Sequence, residues 1–130
     1  MPEPARFLNL DIDLWSTVDL APLATHFDLA ACLLHCGHHA GEFHLTAEPL
    51  IGGHANVDAV TCTRELLATL ASLPVALREL FDGCHRRVFD YGFDGGLEAA
   101  PCSIDLPAVE LSRIAEMGID IRVTIYPHQT

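Results

Sequence analysis

Two segments near the ends of the chain alternate apolar and polar residues. Residues 119–126 read Ile-Asp-Ile-Arg-Val-Thr-Ile-Tyr, so four aliphatic side chains point one way and the polar side chains point the other. Residues 8–14, Leu-Asn-Leu-Asp-Ile-Asp-Leu, repeat this pattern. A period of two is typical of a strand with one buried face. We therefore expect the two segments to be neighbours in one sheet, with Asp11 or Asp13 facing Arg122.

The first half of the chain predicts a helix followed by a hairpin. Asp19 can cap a short helix that ends at Asp28, because its side chain can accept a hydrogen bond from the first helical turn. Residues 31–36 and 42–47 then favour two strands, joined by a turn over residues 37–41 that contains two glycines. This half therefore reads as strand, helix, strand, strand.

The middle of the chain predicts a loop and a broken helix. Residues 49–58 contain several helix breakers and no hydrophobic period, which is typical of a loop. The longest helical pattern follows, with Thr61 or Thr63 as its cap and a broad apolar face of leucines. Pro74 lies inside this pattern. Since proline lacks the backbone donor that a helix needs, we expect a kink or two abutting helices there.

The last third completes an α+β arrangement. Residues 85–93 favour a strand, and Asp105 caps a helix that ends at Gly118. The order is therefore β-α-β-β-α-β-α-β. Its first six elements match a ferredoxin-like βαββαβ unit, to which a helix and a strand are appended. We expect one domain over residues 1–130, a two-layer sandwich with helices on one face of a largely antiparallel sheet.

The C-terminal third also carries a spaced motif. It reads Pro107-x-Val109-x-Leu111-x-x-Ile114-x-x-Met117-Gly118-Ile119-Asp120-Ile121, followed by Ile125-Tyr126. Together with the helix break at Leu73-Pro74, it resembles an uncharacterised bacterial family known as domain of unknown function 4279. In that family a helix that begins at proline and ends at glycine precedes a strand ending in Ile-Tyr. The resemblance implies a fold, and it implies no chemistry because the family has no assigned activity.

Length and cysteine content point to a cytoplasmic protein. The chain has 130 residues, 50% of them apolar, which is enough for a single core. No apolar run approaches the roughly 20 residues of a bilayer span, and residues 1–6 lack the features of a signal peptide. The five cysteines are odd in number and include no Cys-x-x-Cys pair, which favours free thiols in a reducing compartment.

The charge balance limits the possible partners. Seven basic and eighteen acidic side chains give a net charge of −11, which opposes a nucleic-acid backbone. A basic protein partner remains possible, for example a toxin or enzyme that this chain would antagonise. Such binding would be sensitive to salt. We therefore expect a protein partner or a homo-oligomer, with no nucleic acid and no membrane.

One cluster of side chains suggests a metal site. Imidazole and thiolate groups suit zinc, copper or nickel, and the two arms of a hairpin can bring such groups together. The spacing matches no standard zinc motif, so polar turn residues remain the alternative interpretation. The candidate ligands are His35, Cys36, His38, His39 and His44.

The sequence favours a non-catalytic role over an enzyme. His35 and Cys36 are adjacent on a predicted strand and so point to opposite faces, where the histidine cannot activate the cysteine. Carboxylates could form a general acid/base pair if one were buried, a condition that the sequence does not establish. The carboxylates considered are Asp11, Asp13, Asp90, Asp94 and Glu98. No Gly-rich phosphate loop occurs, and we predict no catalytic residue and no cofactor.

Three functional hypotheses follow. The first is a small interaction or oligomerising module that uses an open sheet face or edge around Phe89, Tyr91 and Phe93, since exposed aromatic residues are favoured at interfaces. The alternative is a metal-binding protein or metal-dependent enzyme centred on the hairpin from His35 to His44. A further alternative is a small-molecule-binding domain with a pocket between the kinked helices and the sheet.

Overall fold

A computed structural model describes residues 3–50 and 57–128 of the chain. Most of the predicted loop over residues 49–58, including His54, lies outside these ranges. The described residues form strands and helices in the predicted order, and the long helical pattern forms two helices that meet at Pro74. The elements are β1 (Arg6–Ser16), α1 (Ala21–Ala30), β2 (Cys32–His39), β3 (Glu42–Glu48), α2 (Ala59–Ala71), α3 (Val75–Asp82), β4 (Arg86–Asp94), α4 (Ala108–Glu116) and β5 (Asp120–Tyr126).

The five strands form one mixed sheet in the order β2-β3-β1-β4-β5. The pairs β2-β3, β1-β3 and β1-β4 are antiparallel, whereas β4 and β5 are parallel. The α+β class is thus confirmed, but this five-stranded order does not confirm the ferredoxin-like topology. The expectation that β1 and β5 are neighbours is wrong. The crossover through α4 places β5 beside β4, which separates it from β1.

A single core lies on one face of the sheet. The buried side chains of β1, Leu10, Ile12 and Leu14, all belong to it, as the alternating pattern predicts. All four helices contribute buried residues to the same core, so they pack on this face. The helix residues include Leu23 and Phe27 of α1, Cys62, Leu66 and Leu70 of α2, Phe81 of α3 and Ile114 of α4. We call this the helix face of the sheet and the other side the polar face.

Three helices begin at residues other than those predicted. Leu20 is the residue before α1, and Asp19 does not cap the helix, although its Oδ1 atom accepts a hydrogen bond of 2.9 Å from the backbone N–H of Ala21. Asp58, rather than Thr61 or Thr63, caps α2, and its side chain accepts a hydrogen bond of 2.7 Å from the backbone N–H of Thr61. Helix α4 begins after Pro107, whose fixed φ suits a helix start, and no side chain caps it. Asp105 is therefore not the cap. The predicted end of α4 is confirmed, since Gly118 adopts a φ of +67° just after the last turn.

No single helix in residues 3–50 and 57–128 has the length and apolar character needed to cross a membrane. Helices α2 and α3 reach that length and composition only when they are taken together, and they are bent by 116° where they meet. The bend follows from Pro74, which ends the hydrogen-bond ladder of α2 and precedes the first residue of α3.

Candidate functional site

The β2-β3 hairpin determines where the predicted metal ligands lie. Strand β2 continues to His39, so the turn is shorter than the predicted residues 37–41. It consists of Ala40 and Gly41, whose φ angles are 52° and 81°. A two-residue turn with positive φ at both positions matches the twist of the flanking strands. The five candidate ligands consequently lie on strands, where successive side chains alternate between faces.

This alternation divides the candidate ligands between the two faces of the sheet. Cys36 lies opposite Leu45, which is a core residue, and His38 shares that face. The ring of His38 packs on Phe43 with a centroid distance of 4.4 Å. The polar face carries the remaining candidates, His35, His39 and His44.

The geometry does not support a metal site at the hairpin. Among the described residues, no three His, Cys, Asp or Glu side chains form a group that could hold a metal ion. His44 is already engaged, because its Nε2 lies 3.0 Å from Asp13 Oδ1 and its ring stacks on Trp15 at 4.7 Å. The ring of His35 lies 5.4 Å from that of His44, and no other described residue adds a third ligand to this pair. These histidines instead form part of the side-chain packing on the polar face.

The aromatic residues of β4 do not form an exposed surface. Phe89, Tyr91 and Phe93 are 0%, 0% and 9% exposed and lie on the helix face. Tyr91 extends to α2, where its hydroxyl is 2.6 Å from Thr63 Oγ1. The predicted interface at these three residues is therefore wrong. Their shared face was identified correctly, but β4 is an interior strand, and the helices cover that face.

Polar side chains from four neighbouring strands meet on the polar face. Their positions follow from the register, since Asp11 lies directly opposite Asp90 and Asp13 lies opposite Thr46. Four of these side chains are acidic, and we call them the carboxylate cluster. The cluster consists of Asp11, Asp13, Glu48 and Asp90.

Asp13 is 8% exposed, and its charge is compensated by polar neighbours. Its Oδ1 atom accepts a hydrogen bond of 2.6 Å from Thr46 Oγ1 and lies 3.0 Å from His44 Nε2. Its Oδ2 atom is 3.9 Å from Arg122 Nη1. These contacts offset the cost of removing the carboxylate from water.

Arg122 connects the edge strand to the middle of the sheet. Its Nη1 atom is 3.6 Å from Asp90 Oδ2 on β4, and it also reaches Asp13 on β1. Thr124, the next residue on the same face, donates a hydrogen bond of 2.7 Å to Asp90 Oδ1. The expected contact between Arg122 and an aspartate of β1 is therefore present, although β4 lies between the two strands. A long arginine side chain can span that distance.

No basic side chain among the described residues pairs with Asp11. Burial, with a smaller contribution from the neighbouring carboxylates of Glu48, Asp13 and Asp90, raises the pKa of Asp11 to about 7. Asn9 Nδ2 lies 3.2 Å from Glu48 Oε2 and 3.4 Å from Asp11 Oδ1. The cluster can therefore take up a proton near neutral pH. The sequence identified Asp11 and Asp13 as strand carboxylates, but it gave no signal for this burial.

The helix face of β5 carries exposed aliphatic residues, which we call the β5 stripe. It consists of Ile121, Val123 and Ile125, which are 42%, 57% and 69% exposed. They lie opposite Phe89, Tyr91 and Phe93 and so share the face that carries the core. Three adjacent exposed aliphatic side chains on one strand are a feature that marks interaction surfaces. The alternating pattern located the stripe but did not reveal its exposure.

Strand β2 forms the other edge of the sheet, and its pairing is less regular than that of β5. The pairing of β2 with β3 contains a register shift between Leu33 and His35, and the rest of the strand is rich in histidine. Irregular edges with polar side chains resist pairing with another strand. In contrast, β5 pairs with β4 over seven consecutive residues without a shift. Of the two edges, β5 is the more regular template for a further strand.

No family model matches this chain, and no curated protein and no solved structure matches it. Any function must therefore follow from the geometry described above.

Proposed function

We propose that this chain is a small non-catalytic interaction module that self-associates through β5. The observation that carries the proposal is the β5 stripe, three aliphatic side chains that are 42–69% exposed on an edge strand. Burying the apolar surface of such residues stabilises a complex by about 25 cal/mol per Å². The outer row of backbone N–H and C=O groups of an edge strand can pair with a strand of another molecule.

A second copy of the chain fits this edge across a two-fold axis. If two β5 strands pair antiparallel about Val123, all seven residues from Asp120 to Tyr126 find a cross-strand partner. Ile121 then lies opposite Ile125 of the second copy, so six aliphatic side chains form one continuous surface on the helix face. Arg122 lies opposite Thr124 of the second copy. This register therefore places no like charges directly opposite each other.

The test compares two Val→Lys substitutions at exposed positions. Val123→Lys places a charge at the centre of the stripe, next to its symmetry mate, whereas Val75→Lys makes the same change on α3, where Val75 is 76% exposed. We expect the unmodified chain to sediment as a dimer at about 100 μM, with association at least about 10-fold weaker in Val123→Lys. Val75→Lys should associate like the unmodified chain. Sedimentation equilibrium over a concentration series measures all three.

A monomer up to about 1 mM would overturn the proposal, because a standard-size interface binds far more tightly than that. Equal weakening by both substitutions would also contradict it, since the effect would then come from net charge rather than from the stripe. Circular dichroism of each variant distinguishes a lost interface from a lost fold.

For the finer topology, we infer that the first six predicted elements form a ferredoxin-like unit and that α4 and β5 are its extension. The antiparallel order β2-β3-β1-β4, with β5 added in parallel at the edge, supports this inference. The resemblance to domain of unknown function 4279 is compatible with it, because the resembling motif covers α4 and β5. A bacterial origin and a cytoplasmic location remain predictions.

A further inference from the structure

A groove of about 500 Å³ is lined by residues of α2, α3 and α4 and by Met117, which follows α4. Helices α2 and α3 are bent by 116° where they meet. A volume of this size falls within the range of small-molecule sites in proteins. The predicted break at Pro74 lies between two of the helices that line the groove.

The floor of the groove is apolar. Leu67, which is buried, and Met117, which is half-buried, contribute to it, and the short side chains of Ala68 and Ala71 leave the space open. A methionine is well suited to such a floor, because its flexible thioether adapts to ligands of different shape. The groove therefore offers contact to an aliphatic or aromatic group.

The rim of the groove carries two arginines and one glutamate, Arg78, Arg113 and Glu116. Arg78 uses Nε to contact Asp82 Oδ1 at 3.0 Å, which leaves its two terminal nitrogens as donors. Within residues 3–50 and 57–128, the side chain of Arg113 makes no hydrogen bond and no close ion pair, and its charge contributes to lowering the pKa of Glu110. Two of the seven basic residues of a strongly acidic chain thus meet at one apolar groove.

We propose that this groove binds an amphipathic organic anion, with its acidic head on Arg78 and Arg113 and its apolar part on Leu67 and Met117. Guanidinium groups bind carboxylate and phosphate oxygens through paired, charge-assisted hydrogen bonds. The apolar floor excludes water from one side of that contact. This function is independent of self-association, since the groove and β5 involve different residues.

The first test uses three small probes and titration followed by two-dimensional amide NMR. Octanoate has both the charge and the apolar chain, acetate has the charge alone, and 1-octanol has the chain alone. We expect octanoate to shift the amide signals of residues 67–71 and 113–117. Acetate and 1-octanol should bind at least about 10-fold more weakly, since each lacks one of the two contributions.

Four variants locate the site. Arg113→Gln and Arg78→Gln should each weaken octanoate binding about 10-fold through the loss of a charge-assisted contact. Arg6→Gln removes the same charge from an exposed position on β1 and should leave the affinity unchanged. Ala71→Leu keeps every charge but fills the groove, and it should abolish binding while the chain remains folded by circular dichroism.

Several results would overturn the proposal. One is the absence of detectable octanoate binding at about 10 mM, since a Kd above that value corresponds to less than about 3 kcal/mol of binding free energy. A second is equal binding of octanoate and 1-octanol, which would indicate an apolar surface that does not recognise the charge. A third is equal loss of affinity in Arg113→Gln and Arg6→Gln, since net charge alone would then explain the effect.

Discussion

Strands β1 and β5 have the same alternating pattern but opposite surroundings. Leu10, Ile12 and Leu14 of β1 are completely buried. The corresponding side chains of β5 point to the same face of the same sheet and remain 42–69% exposed. Strand β1 lies at the centre of the sheet beneath the helices, whereas β5 is at its edge. A period of two therefore identifies the apolar face of a strand, and the position in the sheet decides whether anything covers it.

The sharpest test of this contrast is one substitution made in both strands. Ile12→Ala removes a fully buried side chain and should lower the free energy of unfolding by about 3–4 kcal/mol, because it leaves a cavity between the sheet and the helices. Ile125→Ala removes a side chain that is 69% exposed and should cost less than about 1 kcal/mol. Urea unfolding at low micromolar concentration, where self-association is minimal, measures both.

Equal losses in the two variants would contradict the assigned burial. A large loss for Ile125→Ala that appears only at high protein concentration would have another meaning. It would indicate that a second copy covers the β5 stripe, because association stabilises the folded state by mass action.

Local sequence patterns locate strands and helix breaks, but they do not record which strands are neighbours in the sheet. Alternation over residues 8–14 and 119–126 located both strands and their apolar faces, and Pro74 located the helix break. The neighbours of a strand depend on the connections between elements, and no local pattern records them. The alternating patterns therefore contain no signal that β4 lies between β1 and β5, or that Arg122 reaches across β4 to Asp13.

The acidic residues of β1 and β5 also differ in burial. The pH dependence of stability can measure this difference. Because the pKa of Asp11 is raised to about 7, the folded chain holds a proton that the unfolded chain releases near pH 4. The contribution of Asp11 to stability should therefore fall as the pH rises from about 4 to 7. Asp11→Asn removes this loss and should stabilise the fold by about 2 kcal/mol at pH 8, after allowance for partial exposure, with little effect at pH 4.

Asp120→Asn supplies the matched control on β5, where the side chain is exposed at the start of the strand. Its stability should follow that of the unmodified chain at both pH values. If Asp11→Asn behaved in the same way, Asp11 would be ionised in the folded chain at neutral pH, and the carboxylate cluster would not share a proton. Thermal unfolding at pH 4 and pH 8 distinguishes the two outcomes.

The smallest expected effect concerns two tyrosines on neighbouring strands. Tyr91→Phe removes the hydroxyl that contacts Thr63 Oγ1 and should cost about 1 kcal/mol, since Thr63 keeps its hydrogen bond to the carbonyl of Ala59. Tyr126→Phe changes a side chain that is 46% exposed and should stay within about 0.5 kcal/mol of the unmodified chain. Equal stability losses in the two variants would contradict the expectation that the buried hydroxyl of Tyr91 contributes more than the exposed hydroxyl of Tyr126.

The candidate sites were harder to predict than the strands. The histidines of the hairpin are close in sequence, but strand alternation places Cys36 and His38 on the other face from His35 and His44. The aromatic residues of β4 were assigned to one face correctly, and the helices that cover this face could not be inferred from the strand itself. The carboxylate cluster assembles from β1, β3 and β4, which are far apart in the sequence. Only the register of the sheet brings these side chains together.

Arg122 reaches two acids of the cluster from the last strand of the sheet. A product that ends before residue 119 would contain Asp13 and Asp90 without the guanidinium that lies near both of them. The repulsion between them weakens the incomplete sheet. Docking of the final strand neutralises part of it, and a prematurely terminated product that ends before residue 119 would retain the full repulsion and be recognisably less stable to quality-control proteases.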